Sequence, residues 1–304
     1  MDNERTGCLV MQDLNDGKSV MMDFFESYTA QQIEEVVKCI AQFHSWSLKN
    51  PSRWEVKFLR HHSAIHVMAN LTVKMSPQLC ALAPGVFDDS IGKLKPFFEN
   101  QYFLEYFNEG ARSDSGLPKM LLHGDLWSHN ILWERRRDMD DQPNSKDYRS
   151  ENSSLRLRAL IDWQIMHEGN VMNDLARLLV FCCDAEVRKK AEENIFEYYR
   201  NALVQSLNAS KNACANSSLC ITVEQLKFAY KYAFLHEVCV LVFVVPMMFG
   251  LHGKNENSGT ISQFRKDKII ERAKVALQDA VSILERDHPE WLSDDYKNNV
   301  GMES

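Results

Sequence analysis

The chain has 304 residues, 45% apolar and 25% charged, enough to bury a sizeable core; 35 Lys and Arg stand against 42 Asp and Glu, a formal charge of −7. No basic stripe occurs beyond Arg135-Arg136-Arg137, which sits beside Asp138, Asp140 and Asp141, so no nucleic-acid partner is expected. Eight cysteines (8, 39, 80, 182, 183, 214, 220 and 239) form no CxxC pair and the first residues hold no apolar signal core, which points to a reduced, cytoplasmic setting.

In chain order, residues 8–14 read as an edge strand and Asn15-Asp16-Gly17 as a turn. Thr29 with Gln32 forms a capping box. Ile33, Val36, Val37, Ile40, Ala41 and His44 then share one face of a helix reaching about Leu48, and His44 on that face reads as a core histidine. Further helices are expected over 52–70 and 90–108. The second is dense in Phe97, Phe98, Tyr102, Phe103, Tyr106 and Phe107, a core stripe before it is a ligand box. His62 and His66, four apart beside His61, would hold zinc only if a third ligand approached; histidine pairs without a Cys or carboxylate cluster usually meet only water.

The chemistry concentrates further on. Pro118-Lys119-Met120-Leu121-Leu122 reads as a strand entering His123-Gly124-Asp125, and Ile131-Leu132-Trp133 as a strand leaving Asn130. Polar groups on a loop between rigid strands are well placed for catalysis. Asp125 can orient a substrate hydroxyl and accept its proton, while the carboxamide oxygen of Asn130 and the carboxylate of Asp162, after the apolar run 155–161, are hard ligands suited to magnesium. The motif alone is suggestive only. Its context strengthens it: strands on both sides, a polar hairpin loop, a returning strand ending in Asp, and Asn173-Asp174-Leu175-Ala176-Arg177-Leu178 opening a helix.

Residues 137–154, charged and nearly free of apolar side chains, read as a disordered surface loop. Helices are expected over 174–183, 185–207, 223–245 and 261–287, with polar linkers at 208–220 and 252–259. Val238 to Gly250 is a run of thirteen uncharged residues, short of the ~20 that span a bilayer. It reads as a buried helix kinking or ending near Pro246, so no integral membrane segment is expected.

HGDLWSHNILW, IDWQ and NDLARLL resemble the choline-kinase-like and ecdysteroid-kinase-like families, relatives of the aminoglycoside phosphotransferases within the protein-kinase-like fold, and the resemblance spans nearly the whole chain. It implies an α+β fold, mainly the helical C-terminal lobe with short β-hairpins carrying the catalytic loop. It implies Asp125 as catalytic base, His123 bracing the loop, Asn130 and Asp162 as magnesium ligands, and ATP held at its adenine by the backbone around Gln12, Asp13 and Leu14. Asp174 would cap the next helix and tie it to the loop. Residues 1–28 would be the hinge strand and connection, 29–290 the helical lobe, and 291–304 a tail.

Only twelve positions separate Asp162 from Asp174, too few for a long phosphorylatable segment, so the acceptor is expected to be a small-molecule hydroxyl. Seven residues precede the hinge strand in this sequence, with no glycine-rich loop and no lysine before Lys18, so little or no turnover is expected from these residues alone. Two functions follow: an ATP-dependent small-molecule kinase completed by further sequence, or a catalytically silent lobe that binds a metabolite or partner. The exposed hinge edge would invite dimerisation.

Overall fold

The first long helix begins at the capping signal. In a computed structural model describing residues 12–14, 16–58, 62–135, 155–209, 220–254 and 263–293, with the backbone alone at 62–66 and 252–254, Thr29 N donates to Gln32 Oε1 at 2.8 Å and Gln32 N returns to Thr29 Oγ1 at 3.3 Å. This opens α1 (Ala30–Lys49), whose buried face is the predicted one. The helix expected over 52–70 is interrupted. Pro51 starts α2 (Pro51–Trp54), the indole of buried Trp54 donates to Ser47 O at 2.7 Å, and Val56 takes a left-handed φ of 59° before α3 (His62–Leu82) begins.

The aromatic segment also breaks into pieces: α4 (Asp88–Phe98), α5 (Gln101–Glu105), a π-helical turn over Tyr106–Gly110, and α6 (Ala111–Ser115). Asn100 causes the first break, its side chain capping α5 through Phe103 N at 3.0 Å. Phe97, Phe103 and Phe107 are buried, as a core stripe should be.

Two small sheets hold the loops. Strand β1 (Ser19–Met21) pairs antiparallel with β3 (Ile131–Arg135), which pairs with β4 (Leu155–Leu160); β2 (Met120–Leu122) pairs with β5 (His167–Gly169). In register, Ile131 lies opposite Leu160, and Leu122 opposite His167. The loop from β2 to β3 and the loop from β4 to β5 therefore run side by side between the sheets. The edge strand expected over 8–14 is not formed over Gln12–Leu14, and its earlier residues lie outside the described ones; β1 follows a turn with Gly17 at φ 76°. The inserted 137–154 segment also lies outside the described residues.

The rest is helical: α7 (Met172–Cys182), α8 (Ala185–Glu192), α9 (Ile195–Asn208), α10 (Val223–Lys254) and α11 (Gln263–Asp287). The single helix expected over 185–207 divides because its halves serve different neighbours, α8 packing on α11 and α9 on α1. Pro246 does not end α10: Val240, Val242, Val245 and Met248 stay buried, and packing against α3, α7 and α11 holds the helix through the proline. Residues 223–251 are long and apolar enough to cross a membrane, but 72% of the most apolar window is buried, as in a core helix.

Candidate functional site

Residue 124 must be small and left-handed. Gly124 has φ 86°, and a β-carbon there would stand 2.6 Å from Ile165 O and 2.9 Å from His167 Nδ1. This close approach presses the two loops together. His123, fully buried, spans them: Nε2 faces Ile161 O at 2.9 Å, and Nδ1 receives Asp125 N at 3.2 Å. A carbonyl can only accept and an amide N–H can only donate, so these partners assign the neutral tautomer protonated on Nε2. His123 is thus a brace, with both nitrogens committed, and Trp163 lies tilted over its ring at 4.4 Å.

The loop returns through Asn130, whose Nδ2 donates to Asp125 O at 2.8 Å and Asp125 Oδ2 at 2.9 Å. Both bonds use the nitrogen, so Oδ1 is turned away from Asp125 as a hard acceptor. Asn130 O accepts from Ile161 N at 3.0 Å, which sets Asp162 directly beside it. Asp162 is exposed and left-handed at φ 61°, a conformation Asp tolerates better than most residues and one that concentrates at functional sites. Its Oδ2 accepts from Gln164 Nε2 at 3.3 Å. Hydrogen bonds thus join His123, Asp125 and Asn130 to one another and to the backbone of Ile161, the residue before Asp162. Gln12 and Asp13 are exposed and Leu14 is half-buried, its carbonyl taken by Ser19 Oγ at 2.7 Å; they lead into β1, which pairs with the strand leaving Asn130.

One buried carboxylate shapes the loop from outside. Asp174, in the first turn of α7, accepts from His123 N at 2.9 Å through Oδ2 and from Gly124 N at 2.8 Å through Oδ1, while His44 Nε2 approaches Oδ2 at 3.4 Å. His44 in turn faces Tyr199 Oη at 3.0 Å. Burial pushes the Asp174 carboxyl up, but the His44 hydrogen bond and charge and the Gly124 amide outweigh it and hold it below the usual carboxylate range. The tie expected of Asp174 is present. The cap is not its work: Asn170 Oδ1 accepts from Met172 N at 3.0 Å at the start of α7.

Two further groups escaped the sequence reading. Buried Arg177 reaches Asp125 Oδ1 with Nη1 at 3.6 Å and pairs through Nε with Glu237 Oε2 at 2.7 Å; Glu237 also faces His236 Nδ1 at 3.0 Å. Their signal was available, since one arginine inside the apolar run of α7 and one glutamate inside that of α10 each need a partner when buried. His129 is half-buried with its ring 4.4 Å from that of Trp127. The side chains of His61, His62 and His66 lie outside the described ones, and among the described residues no three His, Cys, Asp or Glu side chains gather as a metal cluster.

Residues 1–288 match the model of the DUF1679 family, described as "Uncharacterized oxidoreductase dhs-27". The chain belongs to this family. It is 29% identical over 253 residues to the uncharacterized oxidoreductase dhs-27 of Caenorhabditis elegans, covering 81% of this chain and 28% of that protein. It is 21% identical over 201 residues to the uncharacterized kinase-like protein D1044.1 of Caenorhabditis elegans, covering 66% of this chain and 48% of that one. The chain thus spans under a third of one relative and about half of the other. The family member's two curated relatives carry names from different chemistries. None of this chain's 12 glycines falls in the Gly-x-Gly-x-x-Gly run of a dinucleotide-binding turn.

Proposed function

We propose that this DUF1679 chain is the helical lobe of a protein-kinase-like phosphotransferase, of the choline-kinase-like and ecdysteroid-kinase-like type, that moves a phosphoryl group from ATP to a hydroxyl of a small metabolite. The reading rests on one observation, the double hydrogen bond from Asn130 Nδ2 to Asp125, which fixes the carboxylate and aims the carboxamide oxygen elsewhere. Asp125 takes the proton as the acceptor oxygen bonds to phosphorus and the bridging oxygen leaves with ADP. Asn130 Oδ1 and the Asp162 carboxylate are oxygen donors fitting magnesium, which keeps several waters and substrate oxygens when few protein ligands are supplied. When bound, the ion neutralises charge on the phosphates. The segment Gln12-Asp13-Leu14 is the proposed adenine contact. The kinase-like relative supports the same reading.

A catalytically silent, ligand-binding lobe is favoured by a different observation. The Arg177 guanidinium stands 3.6 Å from Asp125 Oδ1 and competes with an acceptor hydroxyl for that oxygen. Because these residues alone are expected to turn over little or nothing, ADP release by the protein expressed from its full coding sequence, with magnesium and ATP over a panel of amino alcohols, sterols and sugars, separates the two. Phosphotransfer predicts acceptor-dependent ADP that falls about 10²–10⁴-fold in Asp125→Asn. Equal release from both proteins, with or without acceptor, overturns it.

A further inference from the structure

A cavity lies away from the loops, between α8, α9, α10 and α11. It has a volume of about 530 Å³, within the range of small-molecule sites. Its cations are Arg188, Lys189, Lys227, Lys231 and Arg286, and its aromatic wall is Phe196, Tyr230 and Phe234. The floor is rigid. Arg188 is 2% exposed, its guanidinium 4.9 Å from the Phe234 ring centroid, and it is clamped by Glu192 at 2.8 Å and by Asp279, which also takes Lys189 at 3.1 Å. Glu192 further accepts from Tyr230 Oη at 2.7 Å. At the rim Lys231 and Arg286 share Asp287, at 2.8 and 2.7 Å, and Lys227 Nζ lies 6.0 Å from the Phe196 ring centroid.

Five cations thus meet three carboxylates, Glu192, Asp279 and Asp287, with Glu224 acting on Lys227 from outside the lining, and one positive charge is left over on a chain whose net charge is −7. A local excess of that sign in a concave site draws in anions and repels cations. The adjoining aromatic wall favours a flat ring: Tyr230 and Phe234 stack with centroids at 6.2 Å, and Phe196 meets Tyr230 edge-on at 4.9 Å.

We propose that this cavity is a binding site for a small organic anion carrying an aromatic ring, its phosphate or carboxylate held by the Lys227 and Arg286 side and its ring against Phe196, Tyr230 and Phe234. The site is separate from the loops and stands whether or not the chain transfers phosphate. The test is calorimetric titration of the whole chain with 1-naphthyl phosphate, 1-naphthol and inorganic phosphate, with adenosine monophosphate in parallel to separate a nucleotide from a simple aryl anion. The ester should bind at least tenfold more tightly than either fragment. Binding should weaken at least tenfold in K227E/R286E, and likewise in S282E, where the exposed lining residue Ser282 gains a charge outside the ion-pair network. Melting temperatures check that both variants fold, and Asp125→Asn should bind as the parent does. Failure of the ester to bind, binding equal in K227E/R286E and the parent, or binding lost in Asp125→Asn would each overturn the proposal.

Discussion

A buried carboxylate that receives two backbone amides and a histidine is hard to replace. Changing Asp174 to Asn keeps the shape but removes the charge, and its side-chain NH2 must then point a donor either at the Gly124 N–H or at the His123 N–H and His44. A loss of about 2–4 kcal/mol is expected in urea unfolding at neutral pH. The pH dependence follows from the direction of the shift. The folded carboxyl is held below its unfolded value of ~3.9, so its contribution is complete above that pH and fades as the pH falls through the lower folded value. The gap between parent and Asp174→Asn should therefore be widest near neutrality and narrow below about pH 4. Asp125, Asn130 and Asp162 were legible because their spacing lies within short stretches of chain. Arg177 and Glu237 were legible only as charges in apolar runs, and the partners of Arg177, Asp125 and Glu237, lie far off in sequence, which no local pattern encodes.

At the scale of elements, the two adjacent loops depend on a point of contact at Gly124. Gly124→Ala combines a left-handed backbone with a β-carbon 2.6 Å from Ile165 O, and should cost about 1–3 kcal/mol in thermal unfolding. Gly17→Ala shares the backbone strain at φ 76° with open space around it, so it should cost only about 1 kcal/mol. A Gly124 variant no worse than the Gly17 variant would remove the clash from the account. The long helices were readable because a 3.6-residue period and a capping box are local signals. Strand β5 was not, because His167-Glu168-Gly169 carries no alternation and is a strand only through its pairing with β2. The left-handed turn at Val56 and the division between α8 and α9 were hidden for the same reason, being set by which neighbour each piece meets.

Across the whole molecule, Arg272 of α11 joins segments far apart in the chain. Its guanidinium donates to Phe24 O, Glu26 O and Phe181 O and pairs with Asp184 at 3.1 Å, tying the segment before α1 to the end of α7. Arg272→Leu would strand three carbonyls and leave Asp184 to Arg265 alone among these partners; a loss of about 3–5 kcal/mol in urea unfolding is expected. A change under ~1 kcal/mol would mean that water replaces the guanidinium at no great cost. The exposed hinge edge expected over residues 9–11 lies outside the described residues, but among the described residues β1 is itself an edge strand with Met21 49% exposed. Equilibrium sedimentation should show self-association weakening in Met21→Lys.

The contacts of Asp174 also impose an order of events during synthesis. A nascent polypeptide made only as far as β3 already contains Asp125 and Asn130, yet the anchor for His123 and Gly124 lies 51 and 50 residues beyond them. Until α7 has left the ribosome and docked against α1, the peptide between β2 and β3 has no template for its bend, and a ribosome stalled before Asp174 holds the motif as sequence without a site.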